Sequence, residues 1–285
     1  MSFLNDISHI PIFFIAAFLS LLFFFVGVII FYIRNAFVKE GTFDTSNELI
    51  VRLSRVIFPL FAFLLASVAV MIVSKRNEIE SSLQREVDSA VDIAFLGVFL
   101  PTPLQEKINH NLKDYLLFLK NVEWHSLSKG THMNEGRTYI TQTFEELSEY
   151  FETNSHKEYA SHNLIQSVQN LSDARRDRSA LSSKKVHPYM WFILFTDGII
   201  SLFIVIFFLK KTINGQFFCI ALISISFGLI FSLLIGFNNP FSGSLSISSK
   251  PIDEGLNVIE IFLNKTKSFS PEAVSSMNKK NEVKT

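Results

Sequence analysis

The sequence predicts an all-α integral membrane protein with four transmembrane helices and a helical soluble domain inserted between the second and third spans. Three observations lead to this fold class. Four long runs of apolar residues are almost free of charge. Each run is apolar on every side, which is typical of lipid-spanning helices and not of amphipathic surface helices. The segment between the second and third runs repeats its apolar residues with a helical period.

The composition argues against several classes of function. The 285 residues include 26 basic and 26 acidic side chains, so no net positive charge favours nucleic acid as a partner. The single cysteine, Cys219, lies in an apolar run and forms no disulfide within the chain. The seven histidines lack metal-ligand spacing, and no nucleophile elbow, phosphate loop or paired-carboxylate motif occurs. We therefore expect no metal, no cofactor and no enzymatic activity.

The four apolar runs are each long enough to cross a bilayer, although the second is barely so. The first has 24 residues without a charge and no basic segment before it, which indicates a span and not a cleaved signal peptide. Pro59 is expected in the first turn of the second span, where proline is tolerated. The predicted spans are Ile10–Ile33, Val56–Ser74, Pro188–Leu209 and Phe217–Phe237, with a polar loop at 34–55 and a tight connection at 210–215.

The segment 75–187 is predicted to form a small helical bundle. No glycine or proline separates it from the second span, so we expect that helix to continue into the bundle. The Pro101-Thr102-Pro103 sequence then breaks the helix. The apolar repeat is carried by Ile79, Leu83, Val87, Val91 and Phe95, and further helices are predicted at 104–124, 139–150 and 161–179, with a loop at 126–137.

The fourth span carries a ridge of small residues and ends in a distinctive turn. Small side chains recur every four residues along one helix face, which favours close packing against another helix. Proline and glycine then stop the helix. The ridge is Ser224, Gly228, Ser232 and Gly236, and the turn is Asn238-Asn239-Pro240-Phe241-Ser242-Gly243. We expect an extended piece at 244–247, a short helix at 251–265 and a polar tail thereafter.

These boundaries divide the chain into five parts. The predicted parts are a first transmembrane pair at 1–74, the helical soluble domain at 75–187, a second transmembrane pair at 188–237, the turn and a peripheral helix at 238–267, and a polar tail at 268–285.

The second span offers a candidate pore-lining face. Its only polar side chains, Ser67 and Ser74, are seven residues apart and lie on one side of the helix with Phe63 and Met71. Serines beside water and a phenylalanine constriction are typical of a channel that gates by dewetting. Phe63 against lipid or a neighbouring helix explains the same pattern equally well.

Asp197 is the only charged residue inside a predicted span. An acid at such a position is a candidate for a site on an ion path. Structural pairing, or contact with water at the headgroups near Pro188, is the alternative interpretation.

Three stretches resemble the bestrophin-like family of bacterial membrane proteins over most of the chain. The second span runs through Ser74-Lys75-Arg76 into QREVDSAVDIAFLGVFLPTPLQEKI, which is similar to the helix and leucine-proline break of that family. A helix containing Tyr115 follows the break. The fourth span ends in NNPFSGSLSISSKPID, and its residues Asn239, Pro240, Phe241 and Gly243 are similar to the Asn-Pro-Phe-Gly turn of true bestrophins.

The resemblance implies a homopentamer around a central pore, with an apolar constriction on the second span, in the inner membrane of a bacterial cell.

This chain departs from the true bestrophins in the residues after the turn. In true bestrophins acids follow this turn and bind calcium, whereas here Ser242, Gly243 and Ser244 follow Phe241, and the nearest acids are Asp253 and Glu254. Because hard divalent cations require several oxygen ligands, we expect no calcium site at the turn.

The basic residues give opposing indications of orientation, because the short basic loop at 34–55 favours one side and the larger number of basic residues favours the other. The resemblance decides for a cytoplasmic soluble domain. Nine basic residues near the span ends lie on the side of that domain and six on the other side.

Two classes of function remain. The first is an oligomeric ion channel whose partners are inorganic ions, the lipid bilayer and further copies of the chain. The second is a non-conducting membrane scaffold or sensor whose helical domain binds a partner.

Overall fold

The structure is a computed structural model that describes residues 11–37, 47–129, 131, 133–154, 158–184, 186–208 and 213–268. All regular secondary structure within these ranges is helical. The tail after Ser268, residues 38–46 of the predicted loop and residues 210–212 of the predicted connection lie outside the described residues. The described parts of that loop and connection, 34–37, 47–55 and 213–215, are helical and not loop as predicted. The α-helices are α1 Ile12–Phe37, α2 Asn47–Leu96, α3 Thr102–Phe118, α4 Trp124–Ser128, α5 Gly136–Thr153, α6 Glu158–Ser183, α7 Pro188–Phe208, α8 Ile213–Asn238 and α9 Lys250–Ser268.

Four of these helices are long and apolar enough to cross a membrane. They are α1, the part of α2 that carries the second apolar run, α7 and α8, and they correspond to the four predicted spans. Their hydropathy is high because the runs consist mainly of Phe, Leu, Ile, Val and Ala and contain few polar residues.

The second helix is longer than the sequence predicts. It begins at Asn47, so Pro59 lies in its interior and the prediction of a first-turn proline is wrong. Proline removes one backbone hydrogen bond, but transmembrane helices tolerate this where neighbouring groups satisfy the freed carbonyl. No other proline and no glycine occurs between residues 47 and 96, and the helix runs without a break to Leu96. The predicted continuation of the second span is therefore confirmed.

The predicted break after this helix is confirmed, whereas the next helix differs from the prediction. A 3₁₀ turn, Gly97–Phe99, leads to Pro101, whose carbonyl accepts the amides of Leu104 and Gln105 at 3.0 and 2.9 Å. The predicted helix 104–124 changes to a π-helical segment at Leu119–Glu123 before α4. The predicted extended piece at 244–247 differs in its first half, where Ser244 and Leu245 lie in a turn, and its second half forms no regular secondary structure.

The described chain divides into two compact units. The first contains α1, the part of α2 up to Arg76, α7, α8 and the turn through Ser246. Helix α1 packs against α8 and α7. Its core includes a stack of aromatic rings, in which Phe195 and Phe231 lie 4.6 Å apart with Phe23 beside them. Helix α2 joins this core through Val68 and Ile72.

The second unit contains α2 from Asn77, α3 to α6 and, from Ile247, α9. Helix α3 packs against α9 and α5, and α5 packs against α6. Helix α9 fits closely because Gly255 lies against Val87 and Leu116. Two ion pairs along its edge join Lys113 to Glu260 at 2.7 Å and Lys120 to Asp253 at 2.6 Å.

Candidate functional site

The predicted pore-lining residues lie on an uncovered face of α2. Phe63 is 70% exposed and Met71 is 40% exposed, and Ser67 and Ser74 are exposed as well. The Ser67 hydroxyl donates to the Phe63 carbonyl at 2.8 Å, as serine commonly does in a helix. Val70, which is 69% exposed, shares this face although it was not among the predicted pore-lining residues. All four predicted side chains are therefore exposed within the described part of the chain.

Helix α2 is also the least covered of the four membrane-length helices. Only 17% of its most apolar window is buried, compared with 39% in both α7 and α8. An exposed apolar surface of this kind can face lipid, a neighbouring subunit or a pore. Exposure within one chain is the same in all three cases.

The small-residue ridge of α8 lies against α1. Ser224 and Ser232 are fully buried, with 0% and 2% exposure. A Cβ atom at Gly228 would lie 2.6 Å from the backbone nitrogen of Ser20 and 2.8 Å from its Cα. At Gly236 the nearest atoms are side-chain ends, Leu245 Cδ1 at 3.0 Å and Ile12 Cδ1 at 3.2 Å. Of the two glycines, Gly228 is therefore the one that lies against the backbone of α1.

Asp197 lies in α7 and is half-buried. Its neighbour Gly198 faces two aromatic rings. A Cβ atom added at Gly198 would lie 3.5 Å from the Phe23 ring and 3.8 Å from the Phe231 ring. The structure does not bring the predicted sets together into one site, because the ridge faces α1 whereas the stripe of α2 is uncovered.

The Asn-Pro-Phe turn, residues 238–243, is tightly packed. Pro240, Phe241 and Ser242 are buried. Gly243 adopts a φ of 84°, a conformation that favours glycine, and its carbonyl accepts the Ser246 amide at 3.2 Å. Within the described residues, no three His, Cys, Asp or Glu side chains are grouped as metal ligands. Asp253, one of the nearest acids in sequence, is paired with Lys120.

Arg76, at the end of the apolar part of α2, contacts the residues that flank this turn. Its guanidinium lies over the Phe237 ring, 5.4 Å from the centroid. Its Nη2 donates to the Ser246 carbonyl at 3.5 Å. The sequence places Arg76 only at a span end, and these two contacts come from the tertiary structure.

The second unit contains a buried ion-pair cluster that sequence analysis missed. Arg178 donates through Nε to Glu86 Oε2 at 2.5 Å and through Nη2 to Glu86 Oε1 at 3.0 Å. The same Nη2 reaches Glu123 Oε1 at 3.1 Å, and Arg175 Nη2 donates to Glu123 Oε2 at 3.1 Å. The Tyr115 hydroxyl donates to Glu86. We call Glu86, Tyr115, Glu123, Arg175 and Arg178 the buried ion-pair cluster.

The positive and negative charges within the buried ion-pair cluster balance each other. Burial alone lowers the pKa of Arg178, but the Glu86 and Glu123 carboxylates outweigh it and hold that pKa above its usual value. Burial, followed by the charge of Glu86, raises the pKa of Tyr115 well above its usual value. Two arginines balance two glutamates while the tyrosine stays protonated. The cluster therefore joins α2, α3, the π-helical segment and α6 without a net charge.

A sequence signal for this cluster existed. Glu86 follows Leu83 by three residues and precedes Ala90 by four, which places it on the apolar face of α2. Tyr115 and Arg178 occupy similar positions among buried residues of α3 and α6. A charge on an apolar face is rarely left unpaired, but its partner is 92 residues away in sequence, and only the tertiary structure identifies it.

Comparisons with known proteins agree on one architecture. The model of the Bestrophin-like domain matches residues 21–252. A point variant of a bacterial bestrophin homologue from Klebsiella pneumoniae has a TM-score of 0.67 and 14% identity, over 88% of this chain and 98% of that one. A second variant of that homologue has a TM-score of 0.61 and 15% identity, over 87% and 98%. A crystal structure described only as a membrane protein has a TM-score of 0.66 and 14% identity, over 90% and 99%. None of the curated proteins matches.

Proposed function

The chain belongs to the bestrophin-like family, and from that premise we propose that it forms an oligomeric ion channel whose pore is lined by α2. The observation that carries the proposal is the match of the family model to residues 21–252. The exposed stripe of α2, with Phe63, Ser67, Met71 and Ser74, is the candidate lining. A helix that lines a pore on a symmetry axis must leave one face uncovered by its own chain. The likeness to solved bestrophin homologues supports the fold that this arrangement requires.

The narrow part of the pore is proposed to lie at Phe63. Its ring is 70% exposed and points away from the core of its own unit. A ring of phenylalanines, one from each subunit, excludes water when narrow, and a dewetted constriction blocks ions without a moving plug. Ser67 and Ser74 supply hydroxyls to ions or water farther along the same face.

Replacing Phe63 by alanine is expected to raise ion flux, because the smaller side chain widens and wets the constriction. The measurement compares wild-type and Phe63→Ala protein in liposomes, with potassium, sodium and chloride tested separately. Phe18→Ala is the matched control, since Phe18 is 60% exposed on α1 and lies outside the proposed pore. We expect the control to conduct as the wild type does.

The possible results separate the two classes of function. If folded, oligomeric protein conducts none of the three ions in either form, the channel proposal fails and a non-conducting scaffold or sensor replaces it. If the wild type conducts and Phe63→Ala matches it, the constriction lies elsewhere. If Phe18→Ala raises flux as much as Phe63→Ala does, the gain reflects loosened packing and not a wetted pore.

The assembly is proposed to be a homopentamer in the bacterial inner membrane. The helical domain of residues 75–187, which is inserted between the second and third spans, is proposed to lie in the cytoplasm. The family membership and the excess of basic residues on that side support this arrangement. Native mass measurement of the detergent-solubilised protein tests the subunit number. A mass of one or two chains would exclude an axial pore built from α2.

Micromolar calcium is expected to leave the flux unchanged. The Asn-Pro-Phe turn offers serine and backbone oxygens but no carboxylate, and Asp253 is paired with Lys120. The measurement is a calcium titration of ion flux against a chelator control. Strong activation that is lost on replacing Ser242 or Ser244 would show that the turn does bind calcium.

A further inference from the structure

Helix α8 ends without a positive charge of its own. Its last turn contains no basic residue, although the carbonyl groups at a helix C-terminus carry partial negative charge and are stabilised by a nearby cation. Arg76 of α2 brings a positive charge to this end. Its guanidinium lies 5.4 Å from the centroid of the ring of Phe237, the residue before the last of α8.

The same guanidinium also contacts the chain where it leaves the Asn-Pro-Phe turn. Arg76 Nη2 donates to the Ser246 carbonyl at 3.5 Å, and the Ser246 amide donates to the Gly243 carbonyl at 3.2 Å. Ser246 therefore joins Arg76 to the residue whose positive φ shapes the turn. One side chain of α2 thus contacts the chain on both sides of the turn, before it at Phe237 and after it at Ser246.

The charge of Arg76 is directed at the turn and not at a carboxylate. Within the described part of the chain, none of the ion pairs involves Arg76. Arg76, Phe237 and Ser246 belong to the first unit, and Phe237 packs against the apolar cluster that contains Ile72, one turn before Arg76. Because arginine stays protonated in proteins, this charge depends neither on pH nor on a bound ion.

The chemistry of the turn suits a guanidinium better than a metal ion. Residues 238–246 contain no acidic side chain, whereas hard divalent cations require several carboxylate or carbonyl oxygens. A guanidinium binds through less, because one carbonyl and the face of one aromatic ring are enough to hold it. Arg76 finds both of these groups at the two ends of the turn.

We propose that Arg76 fixes the Asn-Pro-Phe turn to the end of the apolar part of α2, so that the chain itself supplies the cation that keeps the turn closed. We call this pair of contacts the Arg76 tether. The tether requires no calcium, and it makes any displacement of the turn a displacement of α2 as well. It does not depend on ion conduction, so it stands even if the channel proposal fails.

Hydrogen–deuterium exchange of the purified full chain in detergent, read by mass spectrometry, tests the tether. The reporter is the peptide that contains the turn and the Ser246 amide. Arg76→Gln removes both contacts and is expected to speed its exchange about threefold to tenfold, while peptides of α1 and of the second unit exchange as in the wild type. Arg76→Lys keeps a cation at the ring and is expected to stay closer to the wild type than Arg76→Gln does.

Lys75→Gln is the matched control, because it removes the same charge one residue earlier, on a different side of α2. We expect it to leave the exchange of the turn unchanged. Phe237→Leu is a second variant, which removes the ring and keeps the charge and does not depend on Arg76→Gln folding. It is expected to reproduce part of the faster exchange, confined to the same peptide.

Calcium and a cysteine label complete the test. A chelator is expected to leave the wild-type exchange unchanged, and millimolar calcium is expected not to slow the exchange of Arg76→Gln. Ser242 is buried, so Ser242→Cys in a background without Cys219, the only native cysteine, is expected to react with a maleimide several-fold faster once Arg76→Gln is added.

Four results would overturn the proposal. The first is an unchanged turn, by exchange and by labelling, in both Arg76→Gln and Phe237→Leu. The second is an equal effect of Lys75→Gln and Arg76→Gln. The third is faster exchange spread over the whole chain in both Arg76→Gln and Phe237→Leu, which would mean a general loss of stability. The fourth is faster exchange of the wild-type turn on adding the chelator, which would assign its closure to a bound metal ion.

Discussion

Replacing Arg178 by methionine is expected to lower the free energy of unfolding by about 3–5 kcal/mol. The substitution keeps an apolar stem of similar length but removes the group that both Glu86 and Glu123 contact. It leaves Glu86, which is completely buried, with only the Tyr115 hydroxyl. The measurement is the thermal midpoint of the full chain in detergent, where a fall on the order of 10 °C is expected.

Arg176→Met is the matched control for this experiment. Arg176 lies two residues before Arg178 on the same helix, but 76% of its side chain is exposed, and its ion pair with Asp173 is a surface pair of 2.9 Å. Such pairs contribute about 1 kcal/mol or less, so the control midpoint should hardly change. Adding Glu86→Gln to Arg178→Met should recover part of the loss, because it removes the uncompensated charge. Equal midpoints for Arg178→Met and Arg176→Met would mean that the cluster contributes nothing to stability.

Replacing Gly228 by leucine is expected to separate α8 from α1 and to lower the thermal midpoint more than the same change at Gly236. The backbone of Ser20 occupies the space that a side chain at residue 228 requires, and backbone cannot move aside as a side chain does. Overpacking in a well-packed core costs about 1–3 kcal/mol, and this position should reach or exceed the upper end. Small residues at such helix contacts allow the backbones to approach.

Gly236→Leu provides the internal comparison, because residue 236 meets only the flexible ends of Leu245 and Ile12. Those side chains can rotate away, so we expect a smaller fall in midpoint and an unchanged oligomer size. Both variants are measured by thermal unfolding and by size in detergent. If the thermal midpoints of the two variants fall equally, the close backbone approach at Gly228 does not determine stability.

The continuous part of α2 was predictable because its cause is local. The sequence between Pro59 and Gly97 contains neither proline nor glycine, and its apolar repeat has the helical period. The start of α2 was missed because the charged residues Glu48, Arg52 and Arg55 interrupt the apolar run, although nothing in this segment prevents helix formation. The π-helical segment before Trp124 was also missed, since its residues are ordinary helix formers.

Local sequence by itself determined the four membrane-length helices, the break at Pro101 and the small-residue face of α8, because hydropathy, helical period and proline act over a few residues. The sequence shows Arg178 only as one of several basic residues near the end of a predicted span. The tertiary structure decided that it is buried against Glu86. It likewise decided that Gly228 meets Ser20 and that Arg76 lies over Phe237. These contacts join residues 92, 208 and 161 positions apart, and a contact between distant residues depends on how the helices pack and not on the composition of either segment.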